Sequence, residues 1–108
     1  MSPSAADVKR AVCEHFGVTM IELESDRRGR DIARPRQVAM YLIRRLTPLS
    51  LPQIGWRFNR HHTTVLAGVR MIDNLIRRDP ELAGHVAALR LVIMDDPRQA
   101  RLPLTARS

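Results

Sequence analysis

Several residue types that carry structure or chemistry in other proteins are scarce in this sequence. It has a single cysteine, which excludes a framework of intrachain disulfides. It has a single lysine, Lys9, so nearly every positive charge is a planar arginine guanidinium. The aromatic residues are one Trp, one Tyr and two Phe, so Leu, Ile, Val, Met and Ala must fill the interior. These aliphatic residues with abundant Arg favour helices over strands, and we predict an all-α fold.

Membrane and secretion signals are also missing. No apolar run is long enough to span a bilayer, and the N-terminus lacks the basic-then-apolar order of a signal peptide. We therefore expect a cytoplasmic protein with no membrane partner.

Signatures of catalysis and metal binding are missing as well. Nothing matches the GxxxxGK[ST] phosphate loop. Adjacent side chains such as His61 and His62 diverge at a helix start, while Cys13, His15 and His85 lie on other predicted elements without ligand spacing. Cys13 falls on an apolar stripe, where a small core residue is the commoner use. We predict no enzymatic activity, no metal and no cofactor.

The positive charge is concentrated in one third of the chain. The 108 residues carry a formal charge of +7. Residues 27–60 hold nine Arg and one acid, a local charge of +8, whereas the rest holds nine basic and ten acidic residues. A clustered excess attracts polyanions, and arginine forks suit phosphates and guanine edges, so a nucleic acid is the favoured partner. The length suits one domain, which we place at residues 1–95, followed by a polar, proline-punctuated and flexible tail at 96–108.

Capping residues and apolar periodicity predict five or six helices. Ser4 caps the first helix, which Gly17 ends, and Thr19 with Glu22 forms a capping box for a short second helix that ends near Ser25. Residues 26–31, hereafter the basic arm, have no apolar period and are predicted to be a loop. Pro35 is expected in the first turn of the third helix, whose apolar stripe consists of Ala39, Leu42, Ile43 and Leu46.

A helix-turn-helix is predicted downstream. Ser50 and Gln53 form a capping box for a short helix that ends near Phe58, and a turn at Asn59 and Arg60 precedes a longer helix from about His62 to Arg78. Its buried side is predicted to hold Val65, Val69, Ile72 and Ile76. The last helix has a stripe of Leu82, Val86, Leu89 and Ile93. In a helix-turn-helix the first turns of the second helix enter the major groove.

Three segments carry a resemblance to a known family. They are ARPRQVAM at 33–40, SLPQIG at 50–55 and HTTVL at 62–66. In order and spacing they resemble the C-terminal DNA-binding domain of DnaA, the bacterial replication initiator, over approximately residues 5–94. The resemblance implies a Trp-repressor-like helical fold that binds double-stranded DNA as a monomer in the nucleoid.

The resemblance also implies which residues contact DNA. Arg28 would enter the minor groove, His61, His62, Thr63 and Thr64 would contact major-groove bases, and Leu51 and Pro52 would touch a thymine methyl. The expected phosphate contacts are Arg27, Arg30, Arg34, Arg36, Gln37, Arg44, Thr47, Arg60 and Arg70.

One position departs from the family pattern. The family usually has Asp immediately before His-Thr-Thr, where this chain has His61, and the preceding turn is one residue shorter. An Asp can accept from a cytosine amino group, so His61 could shift or relax specificity, or it could gain a phosphate contact when protonated.

Two functions remain open at this point. The first is binding to DnaA-box-like sites, which would regulate replication initiation or transcription. The second is a degenerate helix-turn-helix that binds a protein, such as the full-length initiator or another regulator, for which His61 and Trp56 give the motive. Trp56 is expected to be half-buried, although it could stack on DNA or a partner. No ATP-binding region of the initiator is present, and the Met1 start with an unrelated tail favours a stand-alone relative over an excised piece.

Overall fold

A computed structural model describes residues 3–95, so the predicted tail at 96–108 lies outside the described residues. The described part contains six α-helices and no strand, which confirms the predicted all-α class. They are α1 (Ala5–Phe16), α2 (Met20–Glu24), α3 (Arg30–Leu46), α4 (Leu51–Phe58), α5 (His62–Leu75) and α6 (Pro80–Asp95).

Three helices begin with a reciprocal capping box. In each, the cap hydroxyl accepts from a backbone N–H three residues later, and the third residue's side chain accepts from the cap's own N–H. The pairs are Ser4 with Asp7, Thr19 with Glu22, and Ser50 with Gln53. These bonds hold the pKa of the Asp7 and Glu22 carboxyls below their ordinary values, chiefly through the backbone N–H of Ser4 and Thr19. Gly17 ends α1 with a left-handed φ of 70°.

The third helix starts earlier than predicted. It begins at Arg30, inside the basic arm, so Pro35 lies within the helix and not in its first turn. The added turn buries Ile32, and Gly29 provides the N-cap position without a side-chain hydrogen bond. Burial of an isoleucine side chain stabilises the fold by about 2 kcal/mol. This gain offsets part of the stability that is lost with the backbone hydrogen bond that Pro35 cannot donate.

The fifth helix ends earlier than predicted. It stops at Leu75, and residues 76–78 form a turn. The Asp79 carboxylate accepts from the backbone N–H groups of Glu81 and Leu82, so the chain must leave α5 before Asp79 to cap α6. Val69 and Ile76 are consequently half-buried, while Val65 and Ile72 are fully buried.

Helix α3 lies at the centre of the fold and packs against each of the other five helices. Its predicted stripe is buried at Ala39, Leu42 and Ile43, whereas Leu46 is partly buried. All four predicted stripe residues of α6 are buried and join the same core. Gly68 lets α5 approach α3, because a Cβ there would lie 3.4 Å from the side chains of both Gln37 and Met40. No helix among residues 3–95 is long and apolar enough to cross a membrane.

Candidate nucleic-acid interface

Helices α4 and α5 form the predicted helix-turn-helix. Asn59 ends α4 in the left-handed conformation with φ 56°, and the backbone N–H of Arg60 donates to the Gly55 carbonyl at 2.9 Å. A Cβ on Gly55 would lie 2.3 Å from the Arg60 carbonyl oxygen. Only glycine therefore allows the turn to fold back onto α4 this closely.

The first turn of α5 is fully presented to solvent. His61, His62, Thr63 and Thr64 are all exposed, while Val65 anchors the turn in the core. Further along the helix, Ala67, Arg70 and Asn74 also face outward, as the periodicity predicts. The exposed end is thus rich in side chains that donate and accept hydrogen bonds.

His61 is the N-cap of α5. Its Nδ1 accepts from the Thr63 backbone N–H at 3.3 Å and lies 2.8 Å from the Thr63 hydroxyl. Its ring stacks on that of His62 with 4.3 Å between centroids. The imidazole therefore fills the capping position that an aspartate would occupy.

The basic arm is tied to the helix-turn-helix by the carbonyl of Ser25. Arg60, in the turn, donates to this oxygen at 2.6 Å, and Arg36, on α3, donates to it at 2.8 Å. Two guanidinium groups thus converge on one carbonyl at the C-terminal end of α2, where a helix dipole favours cations.

Arg36 departs from its predicted role as a phosphate contact. It is only 6% exposed and donates to the carbonyls of Leu23, Arg27 and Glu22 in addition to Ser25. Burial, with a smaller contribution from the charge of Arg60, lowers the pKa of this guanidinium from its ordinary value. With its donors used on the backbone, Arg36 holds the start of the basic arm against α3, and its burial does not support a phosphate contact.

A cleft separates the basic arm from the start of α5. It has a volume of about 520 Å³ and is lined by Asp26, Arg28, Ala33, Arg36, Arg60 and Thr64. It brings together Arg28 of the arm and Thr64 of α5, which the family resemblance assigns to two different grooves of DNA. Three guanidinium groups against one carboxylate make this cleft a favourable place for an anion.

Two other expected phosphate contacts lie away from this cleft. Arg30 and Arg34 line a separate cleft of about 400 Å³ that also contains Asp79, Glu81 and His85. Arg34 donates there to Gln37 at 3.1 Å. These two arginines are therefore apart from the cleft at the start of α5.

The remaining predicted DNA contacts are mostly accessible. Arg44 and Arg70 are exposed, Gln37 and Thr47 are half-buried, and Arg27 is exposed but paired with Glu22 at 3.0 Å. The Thr47 hydroxyl donates to the Ile43 carbonyl at 2.7 Å. On α4, Pro52 is exposed and Leu51 is partly buried.

Trp56 on α4 and Lys9 on α1 have contrasting environments. Trp56 is 73% exposed, so the expectation of a half-buried ring was wrong. Lys9 is buried, pairs with Glu24, donates to the Arg57 carbonyl at 2.6 Å and lies 4.7 Å from the centre of the Phe58 ring. The only lysine of the sequence therefore connects the end of α4 to α1 and, because it is buried, contributes little to the surface charge.

Cys13, His15 and His85 lie outside the helix-turn-helix, on α1 and α6. Cys13 packs against the core, and burial raises the pKa of its thiol, which disfavours the nucleophilic thiolate. His15 and His85 form a mutual hydrogen bond of 2.8 Å between α1 and α6 that the sequence did not predict. Within residues 3–95, no three His, Cys, Asp or Glu side chains gather where they could hold a metal ion.

Comparison with known proteins agrees with this geometry. Residues 5–72 match the model of the bacterial DnaA protein helix-turn-helix family. Chromosomal replication initiator protein DnaA of Mesorhizobium japonicum is 51% identical over 90 residues, which are 82% of this chain and 18% of that protein. DnaA of Cereibacter sphaeroides is 47% identical over 88 residues, 81% of this chain and 19% of that protein. The chain thus spans about a fifth of the length of the relatives it matches.

Proposed function

Since this chain belongs to the bacterial DnaA helix-turn-helix family, we propose that it binds double-stranded DNA at short, DnaA-box-like sites and thereby regulates replication initiation or transcription. The observation that carries this proposal is the cleft that Arg28 and Thr64 both line, together with the guanidinium groups of Arg36 and Arg60 and the carboxylate of Asp26. A strand of the DNA backbone that separates the minor from the major groove would run along such a cleft.

The proposed base contacts come from both sides of this cleft. Arg28 would enter a narrow minor groove, where negative potential is concentrated. The exposed first turn of α5 would contribute His61, His62, Thr63 and Thr64 to the major groove. Leu51 and Pro52 precede the turn and would supply apolar contact to a thymine methyl.

Fewer residues are proposed to contact phosphates than the family resemblance implies. The residues that keep this role have exposed or half-buried side chains: Arg27, Arg30, Arg34, Gln37, Arg44, Thr47 and Arg70. Arg36 and Arg60 would act mainly by fixing the arm, since both donate to the Ser25 carbonyl. Phosphate contacts fix the orientation and register of a protein on the duplex without specifying the base sequence.

Fluorescence anisotropy with two labelled duplexes tests the proposal. One duplex carries a DnaA box and the other has the same composition in scrambled order, and each is titrated at several salt concentrations. The expected result is tighter binding to the box, with affinity that falls as salt rises. Thr63→Val, which keeps the methyl group and removes the hydroxyl, should reduce the preference for the box. Equal affinity for both duplexes would contradict sequence-specific binding.

A protein-interaction module is the second candidate function. Trp56 is 73% exposed on α4, and Leu91 is 69% exposed on α6, so two helices present large apolar side chains to solvent. Exposed aromatic residues are common in protein interfaces. Absence of salt-dependent DNA binding, together with co-elution of the chain with the full-length initiator or another regulator, would favour this second function.

A further inference from the structure

The hydrogen bonds of His61 assign its tautomer. A backbone N–H can only donate, so Nδ1, which accepts from the Thr63 amide at 3.3 Å, carries no proton. In the neutral ring the proton is then on Nε2. The Thr63 hydroxyl, 2.8 Å from the same Nδ1, must likewise donate to it.

This tautomer determines which hydrogen-bonding groups the first turn of α5 presents to solvent. Within residues 3–95 the Nε2 of His61 has no hydrogen-bond partner, and the residue is exposed. The ring is held in place by the cap at one edge and by His62 on one face. His61 therefore presents a fixed donor, whereas Thr63, whose proton is engaged, presents acceptor lone pairs.

We propose that His61 determines specificity at one base pair, where its Nε2–H donates to an acceptor on a major-groove edge and excludes cytosine. The proposal rests on the DNA-binding function proposed above. Guanine offers two acceptors, O6 and N7, in this groove, adenine N7 and thymine O4 offer one each, and cytosine offers only its amino donor. Guanine is thus the favoured base and cytosine the disfavoured one.

A phosphate contact is the competing use of His61. The Nε2–H of the neutral ring can donate to a phosphate oxygen as well as to a base edge. His61 is the N-cap of α5, however, and the start of the second helix is the part of a helix-turn-helix that enters the major groove. This position favours a base edge over the DNA backbone.

Two substitutions separate the cap from the donor. Asp and Asn both cap helices well, so His61→Asp and His61→Asn should keep α5 intact. His61→Asp replaces the outward donor by a carboxylate acceptor, whereas His61→Asn can cap through its oxygen and keep an outward N–H. Both variants should therefore retain the helix start. His61→Asp changes the outward donor into an acceptor, whereas His61→Asn keeps a donor.

The experiment is a selection of bound duplexes from a randomised library with the wild-type chain and both variants. Guanine is expected at one position for the wild type, cytosine at that position for His61→Asp, and a base other than cytosine for His61→Asn. Titration of two duplexes that differ only there, G·C against C·G, should give about a tenfold preference that His61→Asp reverses.

The outcomes distinguish this inference from the function on which it rests. If no duplex is enriched by the wild type, the proposed DNA-binding function fails. If wild type and His61→Asp enrich the same sequence, the function stands and the inference is overturned. A loss of affinity in His61→Asn that is equal for all duplexes would assign His61 to a phosphate and would also overturn it.

Discussion

Arg60 donates to the carbonyl of Ser25 at 2.6 Å across 35 residues of sequence. The bond connects the turn of the helix-turn-helix to Ser25, the residue that precedes the basic arm. Because Arg36 donates to the same oxygen, the arm and the recognition helix are held against one central helix. The basic arm and α5, the two proposed DNA-contacting elements, are therefore already held in a fixed relative position in the free protein.

Removal of the Arg60 side chain should loosen the basic arm. In Arg60→Ala the Ser25 carbonyl loses one of its two guanidinium donors, so amides 26–29 should exchange with deuterium faster than in the wild type. Arg57→Ala is the matched control, because the Arg57 guanidinium donates to Gln53 within its own helix. Unchanged exchange at 26–29 in Arg60→Ala would show that the bond does not hold the arm.

The two glycines Gly55 and Gly84 should respond oppositely to alanine. A Cβ on Gly55 would meet the Arg60 carbonyl at 2.3 Å, so Gly55→Ala should lower the free energy of unfolding by about 3 kcal/mol. A Cβ on Gly84 would meet nothing within 4 Å, so Gly84→Ala should raise it by about 0.5–1 kcal/mol. Urea unfolding followed by circular dichroism measures both. A neutral Gly55→Ala would mean that the turn relaxes at little cost.

Arg36 should matter for stability more than for direct DNA contact. Arg36→Ala leaves the carbonyls of Leu23 and Ser25 without this donor, so the free energy of unfolding should fall by about 2–3 kcal/mol. Arg44→Ala, at an exposed site, should change it by less than about 0.5 kcal/mol and should instead reduce the salt slope of DNA binding by about one. If Arg36→Ala unfolds like the wild type but loses one unit of salt slope, Arg36 contacts a phosphate.

The His15–His85 pair should make the fold sensitive to mild acid. Burial, with a contribution from His85, lowers the pKa of His15 below its ordinary value of 6.5. The unfolded chain therefore binds this proton more tightly than the folded chain, and stability should fall as the pH drops below 6.5. The capping carboxyls of Asp7 and Glu22, whose pKa values are also lowered, contribute at lower pH, below their ordinary values of 3.8 and 4.5.

His15→Gln removes the titrating group on α1 and is the matched variant for this prediction. The free energy of unfolding, measured with urea between pH 8 and pH 5, should decline in the wild type and decline less in His15→Gln. Parallel curves for the two proteins would contradict the assigned direction of the His15 pKa.

Local features of the fold were predictable because their causes are close in sequence. The capping pairs Ser4–Asp7, Thr19–Glu22 and Ser50–Gln53 are three residues apart and all form. The turn between α4 and α5, the close approach at Gly55 and the buried face of α6 follow from equally local signals. The predicted start of α3 and the predicted end of α5 were wrong. Burial of Ile32 outweighs the start signal at Pro35, and capping of α6 by Asp79 ends α5 before Arg78.

Roles that depend on distant partners were not predictable. Arg36 looks like the other arginines of residues 27–60 in the sequence, and its burial depends on carbonyl partners in α2 and in the segment between α2 and α3. Lys9 is similar, since its contacts with Arg57 and Phe58 span about half the chain. His61 was recognised as a departure from the family, but its capping bond requires the geometry of the turn.

Amide shifts in the nuclear magnetic resonance spectrum of the isotope-labelled chain test the proposed interface most directly. On addition of a duplex that the chain has selected, the largest changes are expected at Arg28, at Ser50 and Leu51 and at residues 61–65, with small changes in α1 and α6. Changes concentrated around Leu91 on α6 or limited to Trp56, with none at Thr63 and Thr64, would contradict DNA recognition by the start of α5.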